Sequence, residues 1–196
     1  MILLESTLRG APVMGLQTSG QIARLSTPVI DPATLSILAY TVESPSFSDS
    51  PWLLRIADVR EMSDIGFIID SSDEFIKPQD VMKINDIYAL NFQLIGKSVT
   101  DEKRRKLGKV IDFTLETGNF IIQQLTVRRP IFRSLNDTEL LIHRSQIIEI
   151  NDTTIVVHSE AKAPEKELHE VVGSYVNPFR KQKSPAPESI DSNQPE

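Results

Sequence analysis

The sequence contains no cysteine among its 196 residues. This absence excludes disulfide bonds, thiolate zinc sites and cysteine nucleophiles, and it favours a reducing compartment. Long apolar runs are lacking too, because no window reaches the ~18 consecutive apolar residues that a membrane-spanning helix needs. The N-terminus, MILLESTLRGAPV, has an apolar start but no basic segment typical of a secretory signal. We therefore expect a soluble, cytoplasmic chain with no membrane insertion.

Positive charge is scarce in the first half of the chain. Residues 1–88 carry six Lys/Arg and twelve Asp/Glu, whereas residues 89–196 carry fifteen of each, so the net charge of -6 arises in the first half. Such a balance argues against a general affinity for nucleic acid. Any nucleic-acid contact would need a local basic patch in the second half.

Patterns of catalysis and cofactor binding are also lacking. The tripeptide Gly96-Lys97-Ser98 resembles the end of a nucleotide-binding P-loop, but Asn91 stands where the P-loop requires its first glycine. The three histidines are far apart and have no metal-ligand spacing. No Gly-x-Ser-x-Gly elbow frames a serine, and no acid/base pair of carboxylates is recognisable. We predict no catalytic residue, no cofactor and no metal site, and hence no enzyme.

The chain does contain an internal repeat. Three segments of the first half match segments of the second half in residue type and order, at offsets of 85, 86 and 88 residues. The matched segments are 29–43 with 114–128, 8–13 with 94–99, and 58–69 with 146–157. Spacing that holds over so much of the chain predicts two copies of one structural unit.

Each copy has the pattern of short strands joined by tight turns. Ile111, Phe113 and Leu115 alternate with polar residues, which is the period of a half-buried strand. Pro32 presets the backbone of one turn, and Gly118 supplies a permissive backbone in the matching turn. Several short strands within ~70 residues favour a small antiparallel barrel, because closure removes exposed edges.

Two helices are predicted outside the repeats. Residues 78–90 form a linker helix, and residues 164–179 place apolar residues at helical spacing between a proline and an Asn-Pro stop. We expect this C-terminal helix either to pack on the barrels or to offer its apolar stripe to a partner or a second copy of the chain.

The second copy resembles the PRC-barrel domain family, which includes the photosynthetic reaction-centre H subunit and the ribosome-maturation factor. The likeness rests on the Leu-x-Gly-Lys strand at Leu94–Lys97, the Gly-Lys-Val-x-Asp strand at Gly108–Asp112 and the turn Thr117-Gly118. The first copy diverges, since Ala23-Arg24 replaces the Gly-Lys pair. The resemblance implies small β-barrels that serve in docking, and it brings no shared catalytic residue.

The predicted fold is therefore mainly β, with two tandem small antiparallel β-barrels of the PRC type, a short linker helix and a C-terminal amphipathic helix. The predicted parts are a divergent first repeat at 1–75, a helical linker at 76–91, a second repeat at 92–160, a C-terminal helix at 161–179 and a disordered tail at 180–196.

A basic cluster at a predicted hairpin tip is the candidate contact surface. It is expected to comprise Lys103, Arg104, Arg105 and Lys106, extended by Arg128, Arg129 and Arg133 of the next loop. Guanidinium groups bind both the carboxylates of an acidic protein and the phosphates of RNA. A solvated tip without a partner is the alternative. No aromatic residues are interleaved with these cations, which disfavours the stacking of single-stranded RNA.

The hypothesis from sequence is a non-catalytic adaptor or assembly module that binds a protein partner through its barrels and basic tip. An RNA-binding or ribosome-assembly factor is the alternative, and self-association is compatible with both.

Overall fold

The computed structural model of the protein describes residues 1–47, 51–129 and 139–158. Residues Met1–Ser159 form one compact unit. The predicted C-terminal helix, the predicted tail and Arg133 lie outside the described residues.

The described chain is mainly β, which confirms the predicted class. It contains two α-helices and fourteen strands that belong to one sheet. In chain order these elements are β1 (Ile2–Leu4), α1 (Glu5–Leu8), β2 (Pro12–Gly15), β3 (Gly20–Asp31), β4 (Ser36–Glu43), β5 (Trp52–Arg55), β6 (Glu61–Ser63), β7 (Gly66–Ile69), β8 (Phe75–Ile76), α2 (Met82–Ala89), β9 (Ser98–Asp101), β10 (Lys106–Glu116), β11 (Ile121–Arg128), β12 (Glu139–His143), β13 (Ile147–Ile150) and β14 (Thr154–Val157).

The sheet runs through both repeats in the order β13-β14-β9-β10-β11-β4-β3-β2-β7-β6. Three strands branch from this path, with β1 beside β10, β12 beside β11, and β5 beside β4 and β8. The pairs β2–β7 and β9–β14 are parallel, so the expectation of purely antiparallel pairing is wrong at one position in each repeat.

The same strand pairings occur in both repeats. Within the first repeat β2, β3, β4 and β5 pair in succession, and β9, β10, β11 and β12 do so in the second. Irregularities of register recur as well: one lies between Leu25 and Pro28 in β3, and another between Val110 and Asp112 in β10. Leu25 and Val110 are 85 positions apart, which is the spacing of the sequence repeat. The spacing therefore marks structurally equivalent residues.

One hydrophobic core extends across the two repeats. It includes Leu25, Tyr40 and Phe67 from the first repeat and Phe113 and Leu125 from the second, all buried. A smaller cluster forms where Val29, Ala39 and Leu53 pack against Ile84 of α2. Helix α2, which lies in the predicted linker, thus covers a sheet face of the first repeat.

Three local features are not evident from the sequence. The N-terminal strand β1 pairs with β10 of the second repeat. Pro12 is the first residue of β2, a strand position at which proline is tolerated. In the turn between β10 and β11 the left-handed backbone belongs to Phe120, with φ 51°, and not to Gly118.

Candidate functional site

The Gly96-Lys97-Ser98 tripeptide has a structural role in the described fold. Lys97 is 7% exposed, and its Nζ donates to the carbonyl oxygens of Asn151 at 2.9 Å and Asp152 at 2.5 Å. Its Nζ also lies 4.7 Å from the centre of the Phe92 ring. Burial lowers the pKa of Lys97, and the charge of Asp152 opposes that shift. The lysine therefore holds the turn that precedes β14.

The basic tip between β9 and β10 is shaped by Asp101, which is 1% exposed. One carboxylate oxygen accepts the backbone N–H groups of Lys103, at 2.9 Å, and Arg105, at 2.8 Å. The other accepts Nε of Arg105 at 2.6 Å. Desolvation pushes the Asp101 pKa upward, but these hydrogen bonds outweigh it and hold the pKa below its usual value. The tip consequently has a defined conformation.

The cations of the tip do not all have the same role. Lys103, Arg104, Arg105 and Lys106 are all exposed. The guanidinium of Arg105 is paired with Asp101 and so contributes to the fold of the tip. Arg104 adopts a left-handed backbone conformation with φ 58°.

Strand pairing brings Arg128 to the same end of the sheet as the tip. Arg128 lies directly opposite Lys109 in the β10–β11 ladder, and both side chains are exposed. Directly opposite residues of an antiparallel pair share a face, with Cβ atoms roughly 5 Å apart. Arg129 follows at once. We call the group Lys103, Arg104, Lys106, Lys109, Arg128 and Arg129 the basic end.

Long-range pairing makes Lys109 part of this site. In the sequence Lys109 belongs to the same basic run as the tip, but nothing there shows that Arg128 is its neighbour. Only the register of β10 against β11 creates that pair. Glu139 of β12 lies opposite Arg128 on its other side. Lys109, Arg128 and Glu139 are therefore neighbours in one row across β10, β11 and β12.

The first repeat shows what the same strand arrangement looks like without a basic end. Lys109 and Arg128 correspond to Arg24 and Glu43, each 85 positions earlier, and these two are also directly opposite. The first repeat thus has opposite charges where the second has like charges. The counterparts of Lys103, Arg104 and Lys106 are the uncharged Thr18, Ser19 and Gln21. The strand arrangement therefore does not require the basic end.

A buried carboxyl group lies away from the basic end, in helix α1. Glu5 is 1% exposed, and its Oε2 is 3.5 Å from Nη2 of Arg9. Burial raises the pKa of Glu5; Arg9 lowers it in part, and Asp112 adds to the increase. Burial also raises the pKa of Tyr40, whose hydroxyl group has no hydrogen-bond partner among the described residues. Ser6 fixes Asp112 by donating from its Oγ to that carboxylate at 2.6 Å.

Two further searches cover the described residues only. Residues 1–47, 51–129 and 139–158 contain no group of three or more His, Asp or Glu side chains placed to hold a metal ion. The helices in that part of the chain are too short or too polar to cross a membrane.

Comparison of the chain with family models and with curated protein sequences gave no match.

Proposed function

We propose that the chain is a non-catalytic adaptor that binds an acidic face of a protein partner through its basic end. The observation that supports this proposal is the Lys109–Arg128 pair. Like charges directly opposite each other in a sheet are unfavourable, with cross-strand pair energies of roughly 0.2–1 kcal/mol. The first repeat has an opposite-charge pair, Arg24 and Glu43, at this position. Glu139 of β12 lies opposite Arg128 on its other side, and a carboxylate from a partner would add a second counter-charge to this pair and form charge-assisted hydrogen bonds.

The mixture of charges around the site favours a protein over RNA. Glu102 lies at the tip and is 2.7 Å from His158, and Glu139 is the neighbour of Arg128 across β11 and β12. A surface of mixed sign suits the complementary pattern of a protein face. The cations of the basic end have no aromatic side chain between them on which bases could stack. The alternative function is RNA binding or ribosome assembly.

The proposed architecture is a pair of PRC-like barrels in a cytoplasmic protein. Its support is the recurrence of strand pairings at the spacing of the sequence repeat, together with the strand motifs of the second copy. The absence of cysteine suits the reducing cytoplasm. Barrels of this type would act as rigid scaffolds that present the basic end.

Affinity capture with the 196-residue chain tests the function. The bait is used as wild type, as Arg128→Glu and as Lys83→Glu, where Lys83 is an exposed residue of α2 and its change alters the net charge equally. We expect one defined protein to be captured after nuclease treatment and to weaken with added salt. Arg128→Glu should abolish the capture and Lys83→Glu should preserve it. Capture that depends on RNA, or that is equal for both variants, would overturn the proposal.

A further inference from the structure

The two repeats differ at the outer edge of one strand. Strand β5 pairs with β4 on one side and with β8 on the other, where Leu53 is opposite Ile76 and Leu54 is opposite Phe75. Its counterpart β12 pairs with β11, and within the described residues its other edge has no partner strand. The first repeat therefore covers an edge that the second repeat leaves open in the described part of the chain.

Side-chain exposure differs between the two strands as well, because Leu53 packs against Ile84 of α2. Leu53 is 0% exposed, whereas Leu141, its counterpart 88 positions later, is 54% exposed. The next residues along the two strands, Leu54 and Ile142, face inward and are 1% and 2% exposed. Both strands therefore pack against the core to the same extent. Among the described residues this edge thus has no strand partner and lies beside an apolar side chain, which is the arrangement that accepts an added strand.

The sequence does not repeat the strand that covers β5. The residues 88 positions after Phe75 and Ile76 are Ala163 and Pro164. Proline has no N–H group to donate to a strand partner, and neither residue carries a large apolar side chain. The apolar residues that pair with β5 in the first repeat therefore have no apolar pair at the equivalent sequence position in the second.

We infer that the open edge of β12 binds an extended segment of a partner protein by antiparallel strand addition. This inference rests on the proposed function only in taking the partner to be a protein. The pairing of β8 with β5 is the template, because there Phe75 is opposite Leu54 and Ile76 is opposite Leu53. In the same arrangement, two adjacent apolar residues of the partner segment would lie opposite Ile142 and Leu141.

Charge complementarity adds a third requirement for the partner segment. Glu139 is exposed and lies two residues before Leu141 on the same strand, hence on the same face. In an antiparallel pair the residue opposite Glu139 is two positions after the one opposite Leu141. A lysine or arginine at that position of the partner would pair with the carboxylate. The preferred segment is thus apolar, apolar, any residue, then basic.

The test uses a fluorescein-labelled synthetic peptide, SSDEFITKS, and the 196-residue chain. Its Phe-Ile-Thr-Lys core meets the three requirements, and binding is followed by fluorescence anisotropy. We expect saturable binding that Leu141→Lys and Glu139→Lys each weaken by about tenfold, a difference of roughly 1.4 kcal/mol. Leu16→Lys is the matched control, because Leu16 is an exposed leucine of the first repeat at 52%. A peptide with Glu in place of Lys should recover binding to Glu139→Lys.

Amide hydrogen exchange locates the peptide on the protein. Protection of residues 139–143 on peptide addition is expected. Binding that is insensitive to both variants, protection at β5 instead of β12, or no binding at all would overturn the inference. Peptide binding at β12 combined with capture that is indifferent to Arg128→Glu would reject the basic-end proposal and leave the strand-addition site standing.

Discussion

Leu35 and Phe120 accept equivalent hydrogen bonds across the junction of the two repeats. The N–H of Ile122 donates to the carbonyl of Leu35 at 2.8 Å, and the N–H of Ile37 donates to the carbonyl of Phe120 at 2.9 Å. Leu35 and Phe120 both have left-handed backbones, with φ 52° and 51°. Each residue is 85 positions from its equivalent, so the contact has the reciprocity of a two-fold dimer interface.

This junction predicts a large cost for Phe120→Ala. Phe120 is 4% exposed, and its ring centre is 5.9 Å from that of Phe67, so truncation leaves a cavity between the repeats. The free energy of unfolding should fall by about 3–5 kcal/mol in urea titration. Phe120→Leu, which keeps much of the volume, should cost clearly less. A loss below about 1 kcal/mol for the alanine variant would mean that the junction contributes little.

Lys97→Met tests the structural role of the P-loop-like lysine. Methionine keeps the apolar stem but removes the charged donors to the carbonyl groups of Asn151 and Asp152. The free energy of unfolding should fall by about 1–3 kcal/mol, because two carbonyl acceptors lose a charged donor. Lys103→Met at the exposed tip is the control and should change it little. Equal stability of the two variants would contradict the assigned role.

Local patterns predicted the β class and the spacing of the repeat, but they could not predict the long-range pairs. The alternation of Phe113 and Leu115 with polar residues is a local signal, and these two side chains are fully buried. The pairing of β1 with β10 places Leu3 opposite Leu115, and no pattern in either segment alone predicts it. The neighbours Lys109 and Arg128 depend in the same way on register. The sequence predicts the permissive backbone at Gly118, yet the left-handed residue is Phe120, two positions later, whose ring is buried.

Glu5→Gln should change how stability depends on pH. Burial raises the pKa of Glu5 in the folded state above its usual value of 4.5. A raised folded pKa gives stability that is complete below the unfolded pKa and is lost as pH rises through the folded pKa. Glutamine does not titrate and has no such loss. The stability of the variant relative to the wild type should therefore increase as pH rises from about 4 to about 8. Thermal or urea unfolding across that range measures the difference. A difference that stays constant would show that Glu5 does not titrate abnormally.

Lys109→Glu should separate stability from binding. Glutamate opposite Arg128 recreates the arrangement of the first repeat, in which the opposite charges Arg24 and Glu43 are directly opposite in register. The free energy of unfolding should therefore rise by about 0.2–1 kcal/mol. Partner capture should fall, because the basic end loses a cation and gains an anion. The free energy of unfolding and the partner capture should be measured on one preparation. A stabilised variant that still captured the partner would show that the like-charge pair has no role in docking.

Gly108→Ala and Gly66→Ala form a matched pair that tests whether the alignment of β10 with β11 builds the site. A Cβ on Gly108 would lie 2.1 Å from the carbonyl oxygen of Arg128, and a Cβ on Gly66 would lie 2.2 Å from that of Pro12. Both variants must shift a neighbouring strand, so Gly108→Ala should lose about 1–3 kcal/mol in urea unfolding. Gly66→Ala should lose at least as much, because Gly66 also has φ 120°, a backbone conformation that alanine rarely adopts. Only Gly108→Ala moves the strand that carries Arg128. It should therefore also lose partner capture, whereas Gly66→Ala should capture normally at a temperature where both remain folded. If the two variants captured equally well, docking would not depend on the β10–β11 register, and the basic end as defined by that register would not be the binding surface.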